Sequence, residues 1–316
     1  MRANFFLVAF FAGCLPAQTG VTLSWLGTAG WEITDGKTVV LIDPYLSRVK
    51  SVTPNDGVLE TDTRRFFTRS DGLVIDEAVI DAHIRRADFV LITHTHTDHA
   101  LDMPYIARKT GATVIGTEST INYARAAGVP EAQCIVAKGG EDFQFDAISL
   151  RVIPSLHGVL RRTPNAAARA GIPRPQVVPP NARPPFTKDD LVEGGTLAYL
   201  IRIGGEQILA FGSMNYIERE IEGLRPDVAL LGAMPDRREI FQYTPRLMKA
   251  LGYPRIVLPA HWDRFNVPYD VSQEPAKQRL LPFLAEVKAA SPKTRVIVPE
   301  YFSPIRVDKA ARGSVK

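Results

Sequence analysis

From Val21 onward, short apolar runs trade places with longer stretches in which apolar positions recur every three or four residues. The short runs, rich in Val, Ile, Leu and Thr, predict strands at 21–26, 38–42, 89–93, 113–115, 148–153, 197–203, 207–211, 228–231, 255–258 and 295–298. The helical period predicts helices over 76–86, 103–109, 119–127, 217–222, 244–250 and 272–289. Gly111, Gly128 and Gly252 stand just past three of these, where a helix stops. Strands open the chain at hairpin-like spacing and helices are interleaved through both halves. That order predicts an α/β protein of packed sheets covered by helices. No internal repeat and no linker is visible, so 18–316 reads as a single domain.

Two segments break the pattern. Residues 46–73 carry little periodicity, and 158–188 crowd Pro173, Pro175, Pro179, Pro180, Pro184 and Pro185 into a stretch that excludes a helix or a central strand. The second segment is also one-sided in charge: Arg161, Arg162, Arg169, Arg174, Arg183 and Lys188 precede its first acid, Asp189. Alone, it reads as a solvated insertion.

The first residues form a separate unit. Arg2 precedes an apolar run from Phe5 to Gly13, too short for a bilayer span, and small residues follow. Residues 1–17 therefore read as a secretory signal cut after Ala17, which exports the protein to the periplasm or the medium without a transmembrane anchor. Phe11-Ala12-Gly13-Cys14 also resembles a bacterial lipobox, but lipid on Cys14 would leave only a short tether to the first strand, so plain export is preferred. Two cysteines exclude a disulfide scaffold and a Cys-rich zinc finger. A net charge of +4, scattered along the chain, gives no footprint for nucleic acid.

The six histidines carry more weight. Residues 93–99 read Thr-His-Thr-His-Thr-Asp-His, directly after the apolar run Phe89-Val90-Leu91-Ile92 and before a helix. His94 and His96 can turn to one point where a strand frays, while Asp98 and His99 face a second point in the next turn. Imidazoles with a carboxylate suit Zn2+, with Mn2+ or Fe as alternatives. His157 and His261 each follow a predicted strand, where open α/β sites gather their ligands. His83, on a predicted helix, reads as ordinary.

These residues resemble a metallo-β-lactamase-fold hydrolase, whose hallmark HxHxDH is met by His94-Thr-His96-Thr-Asp98-His99. Leu26-Gly27-Thr28-Ala29-Gly30, Leu41-Ile42-Asp43-Pro44-Tyr45 and Leu258-Pro259-Ala260-His261-Trp262 resemble the branch of ascorbate-6-phosphate lactonases, related to the N-acylphosphatidylethanolamine-cleaving phospholipase D. The resemblance implies an αββα four-layer sandwich with metals at one edge between the sheets. It implies one metal on His94, His96 and His157 and another on Asp98, His99 and His261, with Asp43 orienting a ligand from behind. It also marks a departure. Ser213, after Ile208-Leu209-Ala210-Phe211-Gly212, stands where a bridging aspartate is expected, which puts filling of the second metal site in question.

The chemistry so implied is that of a zinc-dependent hydrolase with one or two Zn2+, in which metal-bound hydroxide attacks a small ester, lactone, amide or phosphoester. Asp98 steers the water if its own metal site is empty. No GxSxG elbow, Walker A loop or dinucleotide fingerprint offers another route. Leaving from the rim beside His157, the basic insertion now reads equally as a lid or anion funnel for an anionic small-molecule substrate. Two other readings stay open: a β-lactamase, and a metal-binding protein that has lost catalysis. Trp262 reads as core.

Overall fold

Two seven-stranded mixed sheets pack face to face, with helices on their outer sides. The computed structural model describes residues 20–51, 62–158 and 177–308; residues 1–17, read above as a secretory signal, with Cys14 among them, and Arg161, Arg162, Arg169 and Arg174 lie outside them. In the first sheet β1 (Val21–Gly27), β2 (Gly30–Thr34), β3 (Val39–Ile42), β4 (Phe89–Leu91), β5 (Thr113–Gly116) and β6 (Cys134–Val136) lie in chain order, with β14 (Pro304–Val307) outside β1. The second sheet holds β7 (Asp142–Gln144), β8 (Ser149–Ser155), β9 (Thr196–Ile203), β10 (Glu206–Phe211), β11 (Val228–Gly232), β12 (Ile256–Ala260) and β13 (Arg295–Val296), also in order. Each sheet begins as an antiparallel meander and turns parallel, at β3–β4 in the first and β10–β11 in the second. Parallel neighbours need crossovers, and those crossovers carry helices onto the outer faces.

Among the described residues the helices are α1 (Glu77–His83), α2 (Thr97–Ala100), α3 (Met103–Thr110), α4 (Glu118–Ala126), α5 (Glu218–Ile221), α6 (Tyr243–Ala250) and α7 (Glu274–Ala290). Between the sheets lie Trp25, Trp31, Ile33 and Leu91 against Leu150, Val152, Tyr199 and Ile208. A second cluster joins Val90, Ile92 and Val114 to Ile80 of α1, Met103 and Ile106 of α3 and Ile121 of α4. The central strand β4 thus sends Leu91 one way and Val90 the other, which is why its sequence is a continuous apolar run. Trp262 is core, stacked on Trp25 with ring centroids 5.0 Å apart.

Four strands escape the apolar pattern. β2 alternates buried Trp31 and Ile33 around half-buried Glu32, but it is short and starts at a glycine. β6, β7 and β14 are edge strands or their neighbours with few buried residues. The predicted 76–86 helix stops early because Ile84 turns extended and enters the core. The 217–222 helix shrinks to the single turn of α5. Residues 177–188 hold neither helix nor strand, as the prolines require, yet they are not loosely solvated. Val178 and Phe186 are buried, and the Val178 backbone bonds Ser119 Oγ (2.9 Å) and Asn122 Nδ2 (2.8 Å) of α4.

The patternless 46–51 stretch is held by polar anchors instead of apolar periodicity. Buried Asp102 accepts from the backbone of Leu46 (2.6 Å) and Ser47 (2.8 Å) and from Ser47 Oγ (2.6 Å). Buried Arg48 pairs with Asp263 at 2.8 Å and donates to Val267 O, which fastens this stretch to the loop after β12. Among the described residues no helix is long and apolar enough to cross a membrane.

Candidate metal centre

The side chains that matter stand where central strands of both sheets run out. β4 ends at Leu91, and the chain then passes through His94 and His96 into α2, which carries Asp98 and His99. That link is tied on both sides. Thr95 N donates to Glu193 O (3.0 Å), Leu197 N donates to Thr93 O (2.8 Å), and Thr95 Oγ1 meets Thr120 Oγ1 (2.9 Å). From the other sheet, β8 delivers His157 and β12 delivers His261. His261 adopts φ 54°, a left-handed conformation costly for a residue with a Cβ. The β1–β2 turn holds it there, because His261 N donates to Thr28 O at 2.6 Å while Thr28 N is fixed by Asp263 Oδ1 (3.0 Å).

Two triads result. His94, His96 and His157 offer ring nitrogens within 4.8 Å of one another, and so do Asp98, His99 and His261 through a carboxylate oxygen and two ring nitrogens. The triads touch: the His94 and His99 rings are 3.9 Å apart. Behind them sits Asp43, fully buried at the end of β3 with φ 41°. Its carboxylate accepts from Thr93 N (2.7 Å) and Thr93 Oγ1 (2.6 Å), and its Oδ2 meets His99 Nδ1 at 2.8 Å. Gly212 makes room for this contact, since a Cβ there would fall 1.8 Å from Thr93 Oγ1 and 2.5 Å from Asp43 Oδ2.

A family model of the beta-lactamase superfamily domain matches residues 22–261. The chain belongs to this family. A UPF0173 metal-dependent hydrolase of Heliobacterium modesticaldum is 25% identical over 260 residues, 78% of this chain and 84% of its own length. One from Oenococcus oeni is 28% identical over 153 residues, 48% of this chain and only 55% of that relative. A metallo hydrolase structure from the hyperthermophilic archaeon Ignicoccus hospitalis superposes with a TM-score of 0.55 at 18% identity, covering 92% of this chain and all of that one, a likeness of fold.

The superfamily implies a metal, and the residues present fit one. His94 Nε2 and His261 Nδ1 are buried without a hydrogen-bond partner among the described residues. Such orphaned polar atoms are costly unless a cation or water satisfies them. The protonation pattern agrees. Burial, then the neighbouring histidines, hold His94 well below the ordinary imidazole range, and burial pushes His96 down to about 4 despite Asp98. Both rings are neutral at pH 7, the form that ligates metal. His99 goes the other way: burial disfavours its charge, but Asp43 and Asp98 outweigh burial and raise it. Asp98 lies 3.2 Å from His261 Nε2 and 3.6 Å from His99 Nε2. Burial pushes Asp98 up, yet the charges and hydrogen bond of His99, His261 and His96 win and depress it. Held in its anionic form, the Asp98 carboxylate is in the state that ligates a metal.

All eight residues singled out by sequence lie in or against this one site. Ser213 has a job within it: its Oγ accepts from Gly158 N (2.8 Å), and Gly158 O meets His157 Nδ1 (3.0 Å). The serine therefore anchors the turn carrying His157. His83 stands apart from the triads, stacked on Phe302 at 3.5 Å. Three residues at the site were not anticipated. Thr93 and Gly212 were passed over although both lie inside quoted motifs. Arg69 was passed over because it lies in the patternless 46–73 segment; it pairs with Asp189 (Nε, 2.8 Å) and is close enough to act electrostatically on His96.

Proposed function

We propose that this protein is an exported zinc-dependent hydrolase of small esters, lactones, amides or phosphoesters, closest in chemistry to the lactonase-like branch. The observation that carries the reading is the pair of abutting triads, one all-imidazole, the other holding the Asp98 carboxylate with Asp43 behind it. His94, His96 and His157 would hold one cation, and Asp98, His99 and His261 a second. Zinc bound there acidifies water towards neutral pKa and polarises a carbonyl or phosphoryl oxygen.

The chain's own residues do the rest. Asp43 takes the Nδ1 proton of His99, and Gly158 O takes that of His157, so both rings present Nε2 to the site. Asp98 stays anionic across the working range and orients His261. Arg69 stands on the rim as a cation for an anionic substrate, a role the arginines of 159–176 would share.

Metal analysis of the purified protein before and after zinc titration, followed by assays on a lactone, a phosphodiester and a cephalosporin, tests this. Zinc uptake with lactone or phosphodiester turnover is the expected result. Turnover confined to the cephalosporin selects a β-lactamase instead. Failure to bind zinc ends the enzyme reading.

A further inference from the structure

Asp236 lies in none of the motifs discussed above. It sits in the turn Pro235–Glu239, just beyond the end of β11, the strand between β10, which leads to Ser213, and β12, which leads to His261. Its carboxylate lies against Gly158, the residue that follows His157. A Cβ on Gly158 would fall 2.8 Å from Asp236 Oδ2 and 3.6 Å from Ser213 Oγ, so the carboxylate and the serine hydroxyl face the same small space beside His157. Glycine at 158 keeps that space open.

The Asp236 carboxyl is uncompensated on one side. Oδ1 is buried with no hydrogen-bond partner among the described residues. The neighbouring Arg237 turns away, its guanidinium paired with Glu286 at 2.7 Å. Burial raises the Asp236 carboxyl above the ordinary carboxylate range, against the opposing pull of the nearby His261 imidazole of one triad and His157 imidazole of the other. A half-buried carboxylate with an orphaned oxygen is unfavourable in a fold unless a cation or donor meets it. Meanwhile the two triads hold five neutral-capable imidazoles and only one carboxylate, Asp98, toward up to two dications.

We infer that Asp236 is a further carboxylate of the metal centre, supplying from the β11 turn the negative charge that Ser213 does not bring. This rests on the metal-binding reading above. It gives the serine and the aspartate separate tasks: Ser213 anchors the His157 turn, and Asp236 closes the cation site across the Gly158 gap.

The test is zinc affinity, read by competition with a chromophoric chelator, together with the visible spectrum of the Co2+-loaded protein. Wild type, Asp236→Asn, and Asp236→Asn combined with Ser213→Asp are compared, and the melting transition of each metal-free protein is recorded. The asparagine variant keeps the shape and removes the charge. It should weaken the most loosely held zinc about 10–100-fold, shift the Co2+ bands and leave metal-free melting unchanged. Ser213→Asp should restore part of the affinity. Zinc affinity and Co2+ spectrum equal to wild type would overturn the inference while leaving the hydrolase reading intact. A lower metal-free melting transition with every zinc equivalent lost alike would overturn it too, by making Asp236 a support of the fold. Wild type that takes up no zinc would remove both readings together.

Discussion

The two triads lie side by side, yet they are built from opposite materials. His94, His96 and His157 meet edge to face, with ring centroids 4.8–4.9 Å apart and no acid among them. Asp98, His99 and His261 touch through two carboxylate contacts, with Asp43 behind, and among the described residues His261 Nδ1 alone of their ring nitrogens has no partner. Without a cation the first set leaves His94 Nε2 unsatisfied while burial holds His94 and His96 neutral, whereas in the second Asp43 and Asp98 draw His99 toward its charged form. The first therefore competes less with protons for a metal. The second must surrender a proton before it can bind.

Removing a ring from the unsatisfied set should have the largest effect. His96→Ala is expected to cut turnover by more than the ~100-fold that loss of a supporting contact costs, and steady-state kinetics on any substrate that emerges will measure it. Next comes Asp43→Asn, which strips the charge behind His99 and should weaken the second zinc equivalent about 10–100-fold. The first equivalent should weaken less, because Asp43 reaches His94 only through Thr93. Chelator competition separates the two, and equal losses would break the contrast.

The pH dependence of metal-free stability sharpens the same contrast. The folded pKa of His96, about 4, is depressed below the unfolded 6.5, so its contribution is present above pH 6.5 and lost as pH falls toward 4. Discounted for partial exposure of the ring, this amounts to about 2 kcal/mol, and His96→Asn should flatten that limb of a urea-denaturation series. The smallest effect is a proton count. His99 is raised, so near pH 7 the second zinc equivalent should release more protons than the first. Calorimetry in buffers of different ionisation enthalpy reads that difference.

Much of this centre was legible because its ligands are local or follow strands. His94 to His99 fit into six residues, and His157 and His261 sit where apolar runs end. The two-sheet architecture was legible from strand order, and the buried run of β4 was plain. What escaped has no period to betray it. Arg48 and Asp263 are far apart in sequence and form a buried pair that only the folded chain brings together. Asp236 looks like any turn acid after a proline. Its meaning depends on Gly158, just past the end of β8, leaving space beside it. Edge strands such as β7 and β14 bury too little to show an apolar rhythm.

The six triad residues come from three strand ends in two sheets, and that governs the order in which the molecule can be made. Asp98 lies in the first half of the chain and its partner His261 near the end. A nascent chain stalled before β12 lacks β12, β13 and the outer strand β14, and of the six triad residues it lacks His261. Docking of the sheets, driven by the apolar layer between them, must precede assembly of the centre. A centre whose last side chain arrives with β12 can be completed only after most of the chain has been made, so the site is a late product of folding.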